Sequence, residues 1–332
     1  MKQIPNATYR LQFHSNLTFK HALNLVEYLN ALGISHCYSS PILQAKPGST
    51  HGYDIVNPGK INTELGSEED FKEFVSALHQ KQMGLILDIV PNHMFIFDPQ
   101  NKWWQDILEN GPASPYNIFF DIDWHPPKHI FDNKVLLPLL EQQYGEALEH
   151  QAIQIIYKDG AFLLKLSWIE LPTDPKSWLM LLKPLSEESN KIIPEKTPCD
   201  ELSSIVSSLN HLCTSTETNK EKIAERIREK EVIKKRLDIL LKATPAMMAL
   251  LQNQLTSFNG EKGNPNSFEI LDAFMNAQNF RLCYWRVAND EINYRRFFDT
   301  VNFINVLFRI PKAINMVDPK TIYKAFFTQT FK

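Results

Sequence analysis

The N-terminal part of the chain alternates between short apolar strands and amphipathic helices, and no other feature restricts the fold as strongly. Strand and helix patterns follow one another in the order 7–12, 18–33, 35–39, 67–78 and 85–90. This order predicts parallel strands, because each helix carries the chain back across the sheet in a right-handed crossover. We therefore expect the three strands to be parallel and adjacent.

Two architectures begin in this way, a doubly wound sheet and a (β/α)8 barrel. A doubly wound sheet that binds dinucleotides has a glycine-rich turn after its first strand. The sequence that follows the first strand here, "HSNLTF", contains no glycine, so the barrel is favoured. In a barrel, the functional residues lie at the carboxyl ends of the strands.

The run "GLILDIVPNH", residues 84–93, reads as a buried strand, yet it contains Asp88 and ends in Asn92 and His93. A buried carboxylate has to be paired or hydrogen-bonded, because an isolated buried charge is strongly unfavourable. One interpretation is a structural aspartate held by neighbouring backbone; the other is a functional cluster at the mouth of a barrel. No second histidine lies at metal-binding spacing, which argues against a metal site.

The segment "PGSTHGYDIVNP", residues 47–58, follows the second strand and carries groups suited to sugars. Tyr53 offers a flat apolar face with a hydroxyl, which suits stacking on a sugar ring. His51 and Asp54 can hydrogen-bond sugar hydroxyl groups. The alternative is a solvent-exposed loop in which glycine forms a turn and the aspartate caps it locally. The spacing alone does not decide between these two interpretations.

The segment "YWRVANDEINYRRFFD", residues 284–299, places arginines, including Arg295, and carboxylates, including Asp299, among five aromatic residues. Bidentate pairing between arginine and carboxylate side chains would form a rigid polar network. A salt-bridged surface helix end is the simplest alternative, but the interleaved aromatics argue against a solvated face. An internal structural network and direct contact with a substrate both remain open.

Composition narrows the range of partners and compartments. The formal net charge of the 332 residues is −3, so neither nucleic acid nor an anionic membrane is expected as a partner. No apolar stretch approaches a membrane span, and the N-terminus lacks the apolar core of a signal peptide. The four cysteines have no metal-like spacing. We therefore expect reduced thiols, no cofactor and a cytoplasmic location.

Beyond residue 93 the alternation of strands and helices stops. Residues 95–200 are rich in aromatic residues and prolines, which predicts loops and short strands, and residues 200–255 have helical patterns. Thr218 and Glu221 have the spacing of a capping box, which predicts that a helix begins there.

Five segments together resemble the maltooligosyl trehalose synthases of the α-amylase superfamily. They are "ATYRLQF", "YSSPILQAKPGSTHGYDIVNP", "GLILDIVPNHM", "WWQDILENGPASPYNIFFDIDW" and "YWRVANDEINYRRFFD". The segment "DIVPNH" alone would indicate only the superfamily, whereas "PGSTHGYD", "LENGPASPY" and "WRVANDEINYRRFFD" are typical of the synthases. The resemblance runs from residue 5 to residue 300 and is weaker over 170–220.

The resemblance implies a reaction and a set of site residues. The reaction is an intramolecular transglycosylation that converts the reducing-end α-1,4 bond of a maltodextrin into an α,α-1,1 bond. Tyr53 would stack on the sugar beside the cleaved bond, Asp54 would shape that subsite, and His93 would hydrogen-bond the same sugar. The substrate-binding candidates are thus Tyr53, Asp54, His93 and His51, and the supporting candidates are Asp88, Asn92, Arg295 and Asp299.

The resemblance also implies a domain organisation and a fold class. The fold class is α/β, an incomplete (β/α)8 barrel formed by its first three βα units, with a large and mostly helical insertion after the third strand. Residues 1–94 would form this first part of the barrel. Residues 95–285 would form the insertion, first rich in aromatics and proline and then helical, and residues 286–332 would return towards the barrel.

The sequence departs from the superfamily at the catalytic residues. The superfamily carries its nucleophile in a G-x-R-x-D pattern on the fourth strand and a glutamic acid on the fifth, and no such pattern follows "INYRRFFD". Retaining glycosidic chemistry needs two carboxyl groups about 5–5.5 Å apart. We therefore expect no activity on maltooligosaccharides from this chain alone, unless a second polypeptide supplies the remaining strands. The alternative is a truncated, non-catalytic remnant that binds maltodextrins weakly at most.

Overall fold

A computed structural model describes residues 4–287, 292–295 and 305–307, the last three by their backbone. The chain divides into two compact units. The first comprises Met1–Lys102, Phe119–Asp121 and Arg296–Lys332, and the second comprises Trp103–Ile118 and Ile122–Arg295.

The first unit contains a three-stranded parallel sheet covered by helices. Its elements are β1 (Thr8–Leu11), α1 (Phe19–Ala31), β2 (His36–Ser39), β3 (Leu43–Ala45), β4 (Ile55–Ile61), α2 (Glu68–Gln80), β5 (Gly84–Leu87) and β6 (His93–Phe95). The sheet order is β1-β2-β5, and Tyr38 lies opposite Arg10 on one side and opposite Ile86 on the other. The predicted parallel and adjacent strands are confirmed, as is the α/β class. β3 pairs with β4, and the short strand Asn305–Leu307 pairs antiparallel with β6.

Local sequence signals explain why the two helices of this unit begin and end where they do. Helix α1 is followed by Gly33, whose φ of 81° lies in the left-handed region that ends helices. Helix α2 begins with a reciprocal cap. The Ser67 hydroxyl accepts a hydrogen bond from the Asp70 N–H at 3.1 Å, and the Asp70 carboxylate accepts one from the Ser67 N–H at 3.0 Å.

The core of the first unit lies between the sheet and these helices. Leu11 and Cys37 project from one face of the sheet into a cluster that includes Phe19 and Phe74. Because successive side chains of a strand point to opposite faces, Arg10 and Tyr38 project from the other face. Arg10 and Tyr38 are therefore on the side of the sheet away from the helices.

The third strand is shorter and less buried than its apolar sequence suggested. β5 ends at Leu87, its residues are only half-buried, and Ile89 is 52% exposed. Among the described residues, β5 is hydrogen-bonded to β2 alone, which makes it an edge strand of the sheet. The prediction of a fully buried strand extending to residue 90 was wrong for this reason.

The second unit is mostly helical, with two small sheets. Its elements are α3 (Lys102–Asn110), β7 (Val135–Leu140), α4 (Tyr144–Glu149), β8 (Gln154–Lys158), β9 (Ala161–Lys165), β10 (Glu170–Pro172), α5 (Leu179–Ile192), α6 (Lys196–His211), α7 (Lys220–Ala243), α8 (Pro245–Phe258), α9 (Glu269–Asn276) and β11 (Phe280–Tyr284). β7 and β11 are parallel, whereas β8, β9 and β10 form an antiparallel meander. No helix in the described ranges is long and apolar enough to cross a membrane.

Helix α7 carries charged side chains into the core of the second unit. Lys230, only 3% exposed, is paired with Glu109 and lies 3.2 Å from the Asp106 carboxylate. Arg226 is 1% exposed and donates to the Asp174 carboxylate at 2.7 Å. Burial of a charge is tolerated only when it is paired in this way.

Helix α7 does not begin with the capping box that the sequence suggested. The side-chain oxygen of Asn219 accepts hydrogen bonds from the N–H groups of Glu221 and Lys222, at 2.9 and 3.2 Å. The prediction of Thr218 as the capping residue was therefore wrong by one position. Asparagine and threonine both cap helices, and the pattern alone could not choose between neighbours.

Candidate functional site

The loop between β3 and β4 is held in a single arrangement by close packing and by internal hydrogen bonds. Gly52 has a φ of +77°, and a Cβ atom there would lie 2.5 Å from the carbonyl oxygen of Pro41. The hydroxyl of Ser49 accepts a hydrogen bond from the Gly52 N–H at 3.0 Å and donates one to the Asp54 carboxylate. On the outer side, the Gln12 side chain donates to the carbonyl oxygen of Thr50 at 3.0 Å.

Tyr53 leaves this loop and is fixed at three points. Its hydroxyl donates to the Asp88 carboxylate. Its N–H donates to Nδ1 of His51 at 3.0 Å, and its carbonyl oxygen lies 2.9 Å from Nε2 of His93. The His51 ring also stacks on the Tyr53 ring, with centroids 5.9 Å apart and planes inclined by 29°. The structure thus brings Tyr53, His51, His93 and Asp88 together.

Asp54 is buried at the base of the same loop, with 5% exposure. Its Oδ1 atom accepts the hydrogen bond from Ser49, whereas Oδ2 makes no hydrogen bond. Oδ2 still lies 3.5 Å from Nζ of Lys46 and 3.9 Å from Nε2 of His51. The distance to Lys46 gives charge attraction without an aligned donor, so the carboxylate shapes the loop more than it offers itself to solvent.

Asp88 lies immediately after β5 and joins two tyrosines. Its Oδ2 atom accepts hydrogen bonds from the hydroxyl groups of Tyr38, at 3.0 Å, and of Tyr53. The hydrogen bond to this carboxylate raises the pKa of each phenol above its ordinary value, and desolvation raises it further. Both phenols therefore remain protonated donors at neutral pH.

Tyr38 and Arg10 belong to this cluster, although the sequence did not single them out. The Arg10 guanidinium lies 5.3 Å from the centre of the Tyr38 ring and 3.5 Å from the Tyr53 hydroxyl. These two residues could be found only from the strand register, which the sequence does not reveal. The register places Arg10 beside Tyr38, and it places Tyr38 beside Ile86, two residues before Asp88. Alternation on a pleated strand then brings these polar side chains to one face.

His93 is almost fully buried, with 4% exposure. Burial lowers the pKa of its imidazole, although the hydrogen bond to the Tyr53 carbonyl and the charge of Asp54 both oppose the change. The ring is therefore neutral near pH 7, and its Nε2–H donates to the Tyr53 carbonyl. Nδ1 lies 3.1 Å from the side-chain amide of Asn92, and a neutral ring requires that amide to present its NH2 group.

Two supporting candidates remain, Arg295 and Asp299. Arg295 is exposed and belongs to the second compact unit. Asp299 lies outside the described residues. In the described ranges, no group of three or more histidine, cysteine, aspartate or glutamate side chains could hold a metal ion. None of the four cysteines, all of which are described, forms a disulfide.

A parallel sheet with polar side chains at the carboxyl ends of its strands is typical of α/β folds in which the functional site lies at that end of the sheet. Sequence comparison agrees with this class. The family described as "Alpha amylase, catalytic domain" matches residues 22–172, a range that includes Tyr38, the loop before β4, Asp88 and His93.

Within that class, the chain is similar to maltooligosyl trehalose synthases. It is 41% identical over 177 residues to a putative maltooligosyl trehalose synthase of Mycobacterium tuberculosis (strain CDC 1551 / Oshkosh), a match that covers 52% of this chain and 22% of that protein. It is 39% identical over 101 residues to an intracellular maltogenic amylase of Bacillus subtilis, covering 30% of this chain and 16% of the amylase.

Solved structures show the same relationship at the level of the fold. The maltooligosyltrehalose synthase of Arthrobacter ramosus superposes with a TM-score of 0.59 and 22% identity, over 98% of this chain and 30% of that one. A structure described as "DSM5389 glycosyltrehalose synthase" gives a TM-score of 0.54 and 25% identity, over 92% of this chain and 30% of that one. The resemblance to the synthases is confirmed, and the chain spans less than a third of the length of each of these relatives.

Proposed function

We propose that the first compact unit forms one wall of a glucosyl-binding subsite in a protein that acts on maltooligosaccharides. The observation that carries this proposal is the threefold fixation of Tyr53. A tyrosine held by its hydroxyl, its N–H and its carbonyl presents its ring in one orientation, with one face against His51. A preorganised aromatic face of this kind suits stacking on a sugar ring, because little ordering is left for the binding step.

The neighbouring residues have distinct roles in this proposal. Asp54 shapes the loop that carries Tyr53, and His51 lines the subsite from the exposed side. Both ring nitrogens of His93 face protein groups. His93 therefore contributes to sugar binding indirectly, by holding the backbone carbonyl of Tyr53 in place. Asp88 holds the Tyr53 hydroxyl, and Asn92 orients the imidazole of His93.

The fold within which these residues act is, in our proposal, the beginning of a (β/α)8 barrel. Three parallel strands joined by two helices support it, and so does the superposition on the synthase of Arthrobacter ramosus. Residues 1–94 would be the first three βα units, residues 95–285 the insertion, and residues 286–332 the return towards the barrel. Arg295 and Asp299 would support the structure of that return segment.

The reaction that this site would serve is the conversion of the reducing-end α-1,4 bond of a maltodextrin into an α,α-1,1 bond. The name of the mycobacterial relative and the match to the amylase family support this choice. A complete site would require a nucleophile and a general acid/base from later barrel strands. We propose that a second polypeptide supplies these strands and that the present chain alone is inactive.

A second candidate is a non-catalytic remnant that retains weak maltodextrin binding. In this candidate, the partial subsite around Tyr53 would bind maltodextrins without any chemistry. The genomic neighbourhood discriminates between the two candidates. A reading frame that begins close to a G-x-R-x-D-H pattern would favour the split enzyme, and a neighbourhood without one would favour the remnant.

Complementation tests the split-enzyme proposal directly. The 332-residue chain is mixed with a separately expressed fragment that carries the remaining barrel strands, and maltopentaose binding and trehalose-capped products are measured together. We expect affinity and activity to rise together. Tighter binding without any product would leave the split enzyme without support and favour the remnant.

A further inference from the structure

The sheet face that points away from the helices carries four side chains that contact one another in a closed circuit. These are Arg10 from β1, Tyr38 from β2, Asp88 after β5 and Tyr53 from the loop before β4; we call them the Asp88 cluster. Its contacts run from the Arg10 guanidinium to the Tyr53 hydroxyl, from that hydroxyl to Asp88, from Asp88 to the Tyr38 hydroxyl, and from the Tyr38 ring back to Arg10.

Both phenol groups of this cluster donate to the same oxygen atom, Oδ2 of Asp88. Oδ2 of Asp88 accepts both phenolic hydrogens, from Tyr38 at 3.0 Å and from Tyr53. Hydrogen bonds to an ionised acceptor are stronger and more directional than neutral ones. With two such donors from different elements, the carboxylate cannot rotate without breaking both bonds. The orientation of Asp88, and hence the place at which it receives the Tyr53 hydroxyl, is therefore set by β2.

Arg10 supplies the charge that stabilises this arrangement. Its guanidinium lies 5.3 Å from the centre of the Tyr38 ring, within the range of a cation–π contact. Its Nη2 atom lies 3.5 Å from the Tyr53 hydroxyl oxygen. The cation thus touches both phenols that share the Asp88 carboxylate.

We infer that Tyr38 is a positioning residue for the Tyr53 ring, acting through the Asp88 carboxylate, and that Arg10 supports it. The inference rests on the proposed function, because it assigns Tyr53 to a sugar. Tyr38 itself contacts no sugar in this scheme. Its hydroxyl sets the angle at which the Tyr53 ring is presented, so its removal acts on affinity only as long as the Tyr53 hydroxyl is there to be held.

A double-mutant cycle in sugar binding separates this role from a general structural one. Maltopentaose is titrated into the 332-residue chain and into the variants Tyr38→Phe, Tyr53→Phe and the double variant. Tyr53→Phe keeps the stacking ring and removes the link to Asp88. We expect Tyr38→Phe to weaken binding about fivefold in the wild-type background, the effect of about one hydrogen bond, and to have no further effect beside Tyr53→Phe.

The matched control is Tyr28→Phe, which removes the hydroxyl of a tyrosine that is 61% exposed on α1 and should leave affinity unchanged. Arg10→Gln is the second variant and should weaken binding in the same direction as Tyr38→Phe. Equal losses from Tyr38→Phe in both backgrounds would show a general structural effect and overturn the inference. An unchanged affinity in Tyr38→Phe would do the same.

A second measurement needs no sugar. Tyrosine labelled at Cζ gives one NMR signal for each ring, and the Tyr53→Phe variant assigns the signal of Tyr53. We expect Tyr38→Phe to shift and broaden the Tyr53 signal, whereas Tyr28→Phe leaves it unchanged. An unaltered Tyr53 signal in Tyr38→Phe would overturn the inference. If the wild-type chain binds no maltopentaose, the proposed function fails, and this signal still decides whether Tyr38 positions Tyr53.

Discussion

His93 and Tyr53, which are 40 positions apart in the chain, are joined by a hydrogen bond of 2.9 Å from the imidazole Nε2–H to the backbone carbonyl oxygen. This contact ties the strand that follows β5 to the loop that precedes β4. It also occupies one nitrogen of the imidazole that the resemblance had assigned to a sugar. The stability of the loop is therefore linked to the protonation state of one buried histidine.

We predict that His93 makes the stability of the protein depend on pH. Burial lowers the pKa of this imidazole below its ordinary value of 6.5, so the unfolded state takes up a proton at a higher pH than the folded state. The contribution of His93 is then fully present above pH 6.5 and is lost as the pH falls through the folded pKa. At neutral pH we expect His93→Gln to lower the free energy of unfolding by about 1 kcal/mol, with the difference shrinking towards acid.

Urea unfolding at several pH values measures this difference. His125→Gln, which removes an exposed histidine, controls for the loss of an imidazole as such. A difference between wild type and His93→Gln that grows on acidification would contradict the assignment of a neutral, buried ring.

We predict that the 332-residue chain binds maltopentaose no more tightly than about 1 mM, or about −4 kcal/mol. A subsite with one wall makes a stacking contact but lacks most of its hydrogen-bonding partners, while the cost of ordering the sugar remains. Tyr53→Ala should remove most of this binding, and Tyr28→Ala should leave it unchanged. Titration calorimetry at high sugar concentration measures it, and a micromolar affinity in the wild-type chain would refute the one-wall description.

We predict no trehalose-capped product from maltopentaose when the chain is incubated alone. The physical reason is that no nucleophile and general acid/base pair is identifiable in its sequence, and hydrolysis or transfer with retention needs both carboxyl groups. Chromatography of the reducing and non-reducing products checks this. Turnover clearly above the blank that disappears in Asp54→Ala would show that unexpected carboxylates perform the chemistry.

We predict that Lys230→Met lowers the free energy of unfolding of the second unit by about 3–5 kcal/mol, because it leaves buried carboxylates without their main partner. Burial alone would raise the pKa of Glu109, but the charges of Lys230 and Lys234 outweigh it and lower that pKa. Glu109 is therefore ionised in the core. When one of its two lysines is lost, the unfavourable free energy of burying this charge is no longer fully offset.

Lys222→Met is the matched control for this variant. Lys222 lies on the same helix, is 62% exposed and forms a 3.6 Å ion pair with Glu217, so its loss should change the free energy of unfolding by less than about 1 kcal/mol. Thermal and urea unfolding followed by circular dichroism compare the two. Equal effects of both substitutions would mean that the buried network contributes no more than a surface pair.

The sequence was sufficient for the parallel sheet and for Asp88 and His93 beyond the carboxyl end of its third strand. Helical and strand periodicities differ, so the order of elements could be inferred, and the helix predicted over 67–78 corresponds to α2, Glu68–Gln80. The strand exits then predicted that Asp88 and His93 lie near the loop of Tyr53, and the structure places them together.

What the sequence could not supply was register and hydrogen-bond direction. Arg10 and Tyr38 join the cluster only because β1 and β2 pair with these two residues opposite each other, and no local pattern encodes that alignment. For His93, the sequence could indicate a position at the site, but not that its nitrogens face a carbonyl and an amide. The edge position of β5 likewise depends on which strands pair, and its apolar run gave no sign of it.

The close approach of Gly52 to Pro41 has a consequence for how this chain can vary. Any side chain at position 52 would bring a Cβ to 2.5 Å from a backbone carbonyl that cannot move aside, on a φ of +77° that disfavours such side chains anyway. Tyr53 is the next residue, so the loop and the ring would shift together. In a saturation library selected for maltopentaose binding, we expect glycine alone to survive at position 52. By contrast, a Cβ atom at Gly145 would meet no heavy atom within 4 Å, so this position should tolerate most residues. The range of residues tolerated at position 52 would thus show how strongly binding depends on the orientation of the Tyr53 ring.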